Sequence, residues 1–199
     1  DPADGSGELH RLTYPDGAHD AEALLIERSG RPVVVTKGSR GGVYVTSEAV
    51  NDLASPGPTP LTKVGDVAFG GQVTGGAVSA DGTVAALRTY TDAYLYYVPD
   101  GDIAAALTTG PGLRIALPTQ PQGEAIAFDP AGNLVIGSES PGAALQPLRV
   151  LPDAASRVVP EPVAEPAAAQ GDSNTWWYVA AAAATVAAAA AVAAWRVVR

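Results

Sequence analysis

The sequence predicts an all-β chain: a partial β-propeller of about three four-stranded blades, followed by a disordered stalk and one transmembrane α-helix. Three observations carry this expectation. A glycine-centred hairpin pattern recurs at Gly30, Gly82 and Gly132, spaced 52 and 50 residues apart. Each copy is followed by further short runs of Val, Ile, Leu and Tyr, which makes about four strands per repeat, the pattern of a propeller blade. The end of the chain holds 20 uncharged, Ala-rich residues between aromatic flanks. The predicted boundaries are a disordered start at 1–8, blades at 9–152, a Pro/Ala-rich linker at 153–175, the membrane helix at 176–195 and a cytoplasmic tail at 196–199.

The three hairpins span Asp20–Lys37, Gln72–Thr89 and Gln122–Glu139. In each, a short apolar run meets a turn ending in Gly and resumes as a second apolar run. The turns R-S-G, A-D-G and P-A-G supply the positive-φ position that a tight hairpin needs. The runs are too short for helices, so strands are expected. Further strands are expected at Gly42–Thr46 and Thr59–Val64, at Ala93–Val98 and Leu113–Leu117, and at Gln146–Leu151. Their near-continuous apolar character suits strands covered on both faces. Asp102–Leu107 reads as a helical turn capped by Asp102. A β-sandwich would explain the strand lengths but not the fixed spacing of the hairpins. Leu9–Tyr14 reads as the last strand of a blade whose beginning is missing. There is no Met, at position 1 or elsewhere, so the chain reads as a processed or truncated product lacking N-terminal blades.

Composition excludes several classes of function. Twelve Lys+Arg against 21 Asp+Glu give a net charge of −9, which argues against sequence-independent nucleic-acid binding. The absence of Cys removes disulfides, thiolate metal sites and Cys nucleophiles. His10 and His19 are the only histidines, too few for a multi-His zinc site. No nucleophile elbow, P-loop or dinucleotide fingerprint occurs; Gly38–Gly42 reads as a hairpin loop.

The segment Trp176–Trp195 is long enough, at about 1.5 Å per residue, to cross a hydrocarbon core of about 30 Å. Trp176, Trp177, Tyr178 and Trp195 suit the two interfaces, and Arg196 and Arg199 mark the cytoplasmic side. The expected topology is a single-pass protein of the cell membrane with its N-terminal domain extracellular. Asp153–Thr175, with repeated Pro and Ala, reads as a stalk.

The candidate site comes from equivalent places in the repeat. The eighth residue before the turn glycine is Glu22, Thr74 or Glu124, and the seventh after it is Lys37, Thr89 or Glu139. Equivalent blade positions sit at equivalent radii, so these residues could converge at one mouth of a channel. Asp20 lies just before the first strand, and Arg88 and Asp92 flank the second hairpin. Glu22 and Glu124 are the candidate metal ligands, offering the hard oxygens that Ca2+ prefers. The alternative is that these charges solvate strand ends and pair with one another, as Lys37 would with a nearby Glu. Tyr90, Tyr94, Tyr96 and Tyr97 form an aromatic cluster for packing between blades, with Tyr94 and Tyr96 on one face and Tyr97 on the other.

The run Gln122–Glu139, Q-G-E-A-I-A-F-D-P-A-G-N-L-V-I-G-S-E, is similar to blades of bacterial extracellular six-bladed propellers. Those include the esterase-like-phytase and the regucalcin/gluconolactonase-like groups. Tyr14–Leu25 and Arg88–Tyr94 resemble secreted propellers of actinobacteria. The resemblance covers about residues 8–151 and implies about three further blades upstream. In the gluconolactonase-like proteins a Glu beside Gly at the start of an innermost strand ligates a divalent cation; here the matching Glu124 follows Gly123 instead of preceding it. Two functions are therefore expected as rivals. One is a membrane-anchored extracellular binding or scaffold module for a protein or small-molecule ligand. The other is a Ca2+-dependent esterase, phosphoesterase or lactonase with its site in the channel.

Overall fold

The computed structural model describes residues 5–139, the backbone of 148–151, and residue 158. The linker at 153–175, the Trp176–Trp195 segment and the tail fall outside the described residues, apart from that one position. Among the described residues no helix is long and apolar enough to cross a membrane.

The described chain is mostly β. In order it forms β1 (Leu12–Thr13), β2 (Ala21–Ile26), β3 (Pro32–Thr36), β4 (Gly42–Val45), a 3-10 turn (Val50–Asp52), β5 (Thr59–Pro60) and β6 (Thr62–Asp66). Then follow β7 (Gly75–Val78), β8 (Val84–Arg88), β9 (Asp92–Tyr97), α1 (Ile103–Thr109), β10 (Leu113–Ala116), β11 (Gly123–Phe128), β12 (Leu134–Ser138) and β13 (Leu148–Leu151). Three antiparallel sheets result, ordered β2-β3-β4-β6, β7-β8-β9-β10 and β11-β12-β13, with a parallel β1-β5 pair beside them.

The repeated hairpins form as expected. Gly30, Gly82 and Gly132 have φ of 85°, 69° and 78°, in the region that a side chain disfavours. Each donates its N–H to the carbonyl three residues back, in Glu27, Ser79 and Asp129. Asp129 tightens the third turn by accepting from the N–H groups of Ala131 and Asn133, both at 2.9 Å. Glu27 ties the first turn to α1: its carboxylate takes two bonds from Arg31 and one from the N–H of Ile103. Asp102 caps α1 by accepting from the N–H of Ala105 at 2.9 Å.

Packing follows the alternation of the strands. One face of the first sheet (Ala23, Leu25, Val33, Val35, Val43, Val45) meets Ala85, Leu87, Tyr94 and Tyr96 of the second, and Ile103, Ala104 and Leu107 of α1 close that core. The other face of the second sheet (Val84, Ala86, Ala93, Leu95) meets Ile126, Leu134 and Ile136 of the third. Strands β3, β4 and β8 are buried along their whole length, whereas β6 and β10 are largely exposed. Each fully buried Val or Leu contributes about 1.5–3 kcal/mol, so the second and third strands of the first two sheets are a main source of stability. Tyr94 and Tyr96 share one face, as alternation requires.

Two expected strands are corrected. Thr59–Val64 is not one strand: it breaks at Leu61 into β5 and β6. Pro60 has no N–H for a ladder, and the Leu61 N–H goes instead to the Thr13 carbonyl at 2.8 Å. Leu9–Tyr14 contributes only β1, which runs parallel to β5. Leu12 and Tyr14 then cover Val34, Tyr44 and Leu61 on the outer face of the first sheet. That segment is a strap over the first sheet, and its one strand pairs with β5 in a separate two-stranded sheet.

Candidate functional site

The first strands β2, β7 and β11 lie side by side, and two glycines set the approach. A Cβ on Gly75 would strike the Glu124 carbonyl, and one on Gly76 would lie 2.9 Å from Ala23 Cβ. The starting ends of the three strands are therefore gathered together.

At that end β2 and β11 carry the same irregularity. Ala21 pairs with Thr36 and Ala23 with Val35, which leaves Glu22 as the extra residue of a bulge. Gly123 pairs with Ser138 and Ala125 with Gly137, which leaves Glu124 in the same role. β7 has no bulge; its equivalent residue, Thr74, is buried and donates its hydroxyl to the Gly123 carbonyl at 3.0 Å. A bulge unpairs one residue and re-aims its side chain. Here it turns two glutamates toward the shared end of the strands.

Five side chains meet there. Lys37 Nζ lies 2.8 Å from Glu22 Oε1 and 5.8 Å from the centroid of the Tyr90 ring. The Tyr90 hydroxyl donates to Glu124 Oε1 at 3.3 Å. Glu139 shares a hydrogen bond with Glu124. The hydrogen bond to Glu22, then that to Tyr90, holds the Lys37 ammonium above its ordinary range. The hydrogen bond and charge of Glu124, with the more distant charge of Glu22, raise the Glu139 carboxyl; Lys37 opposes them. Three carboxylates thus gather around one ammonium, which is bonded to Glu22, with a guanidinium beneath them that feels the charge of Glu124.

Arg88 lies beneath this cluster. It is fully buried and bridges the second and third sheets. Its guanidinium donates to the carbonyls of Ala125 at 2.7 Å and Gly137 at 2.9 Å, and to Gln120 Oε1 at 2.8 Å. Burial pushes it below its ordinary value, and the charge of Glu124 acts in the opposite sense. A Cβ on Gly123 would collide with the guanidinium, so this glycine makes room for it.

Of the residues expected at the site, Glu22, Lys37, Glu124 and Glu139 come together, with Arg88 supporting them. Asp92 turns away: it pairs with Arg114 at 2.8 Å and accepts from the Thr91 hydroxyl. Arg114 above all, and then the Thr91 hydroxyl, hold that carboxyl low against burial. Asp20 fixes the hairpin through its carbonyl, which accepts from the Lys37 N–H at 2.8 Å. Sequence reasoning misses Tyr90 and Gln120. Tyr90 is expected in packing between blades, yet it joins Lys37 to Glu124. His19 belongs to the strap: its Nε2 lies 2.9 Å from Asp16 and 3.1 Å from the Tyr44 hydroxyl, which donates to Asp16 at 2.8 Å.

The arrangement suits cations. Lys37 makes one such contact within the chain: its ammonium lies against the Glu22 carboxylate and near the Tyr90 ring. Among the described residues no group of three or more His, Cys, Asp or Glu is arranged to hold a metal ion. For Glu22 and Glu124 to share Ca2+, the Lys37 ammonium would have to leave Glu22.

The raised Glu139 carboxyl gives a pH dependence. A group whose folded pKa is raised contributes stability that is fully present below its unfolded value, about 4.3 for Glu, and is lost as pH rises through the folded value. Thermal melts across the carboxylate range should show this loss, and Glu139→Gln should flatten it while melting higher than wild type at neutral pH. An unchanged pH profile in the variant would show that Glu139 does not hold the extra proton. No protein-family model matches the chain, and no curated protein matches it significantly.

Proposed function

We propose that the chain is part of a β-propeller that acts as a membrane-anchored extracellular binding module. Its acidic strand ends would receive an ammonium-bearing ligand, either a lysine of a partner protein or a small amine. The observation that carries this reading is the convergence of bulged Glu22 and Glu124 with Glu139 around one lysine, which leaves negative charge for an external cation. Three four-residue turns at a fixed spacing and first strands packed side by side support the propeller. Trp176–Trp195 and the residues before it support the anchor and stalk, and the similarity of Gln122–Glu139 to secreted six-bladed propellers agrees with an extracellular site. The rival Ca2+-dependent hydrolase draws on the Glu124–Glu139 pair, where a divalent ion would relieve the repulsion that raises the Glu139 carboxyl.

Thermal melts in 1,4-diaminobutane and in CaCl2, with wild type and Glu124→Gln, separate the two. A ligand that binds only the native state raises its stability. The binding reading expects the diamine to raise the wild-type melting temperature, the variant to lose most of that rise, and Ca2+ to act no better than ionic strength alone. A Ca2+-specific rise abolished by Glu124→Gln would favour the hydrolase. No shift with either cation would remove the site.

A further inference from the structure

A cleft of about 660 Å³ opens beside the first sheet and α1. Its rim is built from the β3–β4 loop, which brings Ser39 and Arg40, from the segment after β6, which brings Asp66 to Gly70, and from Thr108 of α1. The cleft is separate from the acidic strand ends, since none of Glu22, Lys37, Tyr90, Glu124 and Glu139 lines it. Small-molecule sites have volumes of about 300–1,000 Å³, and this one falls among them.

The walls are tied together within the fold. The N–H of Val67 donates to the Gly41 carbonyl at 2.9 Å, and that of Gly71 to the Ser39 carbonyl at 3.3 Å. These two bonds join the β3–β4 loop to the segment after β6. On the other side α1 closes on β6 because Gly65 has no side chain: a Cβ there would come within 2.7 Å of Thr108 Cγ2. The lining is partly apolar. Val67 is buried, and Phe69 lies parallel to the buried Tyr94 with ring centroids 3.8 Å apart. Tyr94 takes one face of Phe69; the ring is half-buried, and the rest of its surface lines the cleft.

Two charged side chains stand on the rim. Asp66 is matched by Lys63 at 2.9 Å. Arg40 is exposed and has no ion pair or hydrogen-bond partner among the described residues, in a chain where 21 acids outnumber 12 bases. A guanidinium takes an oxyanion through two parallel N–H bonds, and an aromatic ring prefers an offset stack on another. We propose that the cleft binds a small aromatic carboxylate, its carboxylate on Arg40 and its flat body along Phe69. Asp66, on the same rim, decides between the oxyanions that Arg40 could take. A phosphate monoester carries roughly −1.5 to −2 charges at neutral pH and is repelled by Asp66 more than a carboxylate is.

Fluorine NMR of the ligand, titrated with the full-length chain in detergent, tests this with probes of similar shape: 4-fluorophenylacetate, 4-fluorophenyl phosphate and 4-fluorobenzyl alcohol. The carboxylate should bind most tightly. Arg40→Gln, on an exposed loop, should leave the melting temperature unchanged and weaken the carboxylate about tenfold or more. Because both proteins are titrated in the same micelles, their difference excludes partition of the probe into detergent. Asp66→Asn should raise the affinity for the phosphate more than that for the carboxylate. Four results would each overturn the proposal: no binding of the carboxylate by wild type at millimolar concentration, equal carboxylate affinity in wild type and Arg40→Gln, an alcohol bound as tightly as the carboxylate, or a phosphate bound more tightly than it.

Discussion

Replacing Arg88 by Met is expected to cost about 3 kcal/mol or more of folding stability. Arg88 is fully buried, and its guanidinium serves the Thr89 carbonyl, Gln120 and, in the third sheet, two main-chain carbonyls, those of Ala125 and Gly137. Both carbonyls flank the bulge at Glu124, where the β11–β12 ladder is interrupted, and Arg88 supplies donors there. Hydrogen bonds to a charged group are worth about 1.5–3 kcal/mol each, and a buried acceptor left without a donor costs its desolvation. Relief from burying the charge offsets part of this. Met keeps the apolar stem, so the loss reports on the donors. Gly123→Ala acts on the same contact from the other side, because its Cβ would displace the guanidinium. The two substitutions combined should cost clearly less than their sum, since the second removes what the first has already lost. Denaturant unfolding measures both effects. A cost below about 1 kcal/mol for Arg88→Met, or full additivity, would show that Arg88 does not hold the second and third sheets together.

The hairpins are legible in the sequence because each depends on a local rule. A turn glycine with positive φ and two apolar runs of strand length are visible in a window of 18 residues. The Asp102 cap is local in the same way. The division of Thr59–Val64 is not legible, because it depends on where one N–H goes. Leu61 bonds to Thr13, 48 residues away, and no window around Pro60 contains that partner. The strap is also a long-range fact: nothing near Leu12 says that it pairs with Thr59.

The site is half legible for a related reason. Counting from the turn glycines finds Glu22, Glu124, Lys37 and Glu139, because a repeat puts equivalent residues at equivalent places. Counting cannot show that Glu22 and Glu124 are bulged, since a bulge appears only in the register with the partner strand. It also misses Tyr90, which lies in the turn after β8, beyond the repeat pattern. Its neighbour Thr89 offers a signal: its hydroxyl accepts from the N–H groups of Thr91 and Asp92, a turn that leaves residue 90 free to project. Asp92 is misplaced by counting because its carboxylate follows Arg114, whose position depends on the pairing of β10 with β9.

Replacing Ala184 by Arg is expected to keep the chain out of the membrane. The proposed span Trp176–Trp195 has no Leu, Ile or Phe; Val179, Val186 and Val192 are its only aliphatics larger than Ala. Together they contribute roughly −1 to −2 kcal/mol on the insertion scale, and an Arg at the helix centre costs about 2.5–3.5 kcal/mol. The substitution therefore exceeds the whole aliphatic contribution and shifts the partition by roughly a hundredfold. Position 184 lies near the middle of the span, about 12 Å from one end and about 16 Å from the other at 1.5 Å per residue, so the side chain has little scope to snorkel. Ala184→Leu should act in the opposite sense and serves as the control for altered chemistry at this site. Alkaline carbonate extraction should leave wild type and the Leu variant in the pellet and release the Arg variant to the supernatant. An Arg variant that stays in the pellet would mean that the segment is held by something stronger than its own hydrophobicity, and the single-span topology would fall with it.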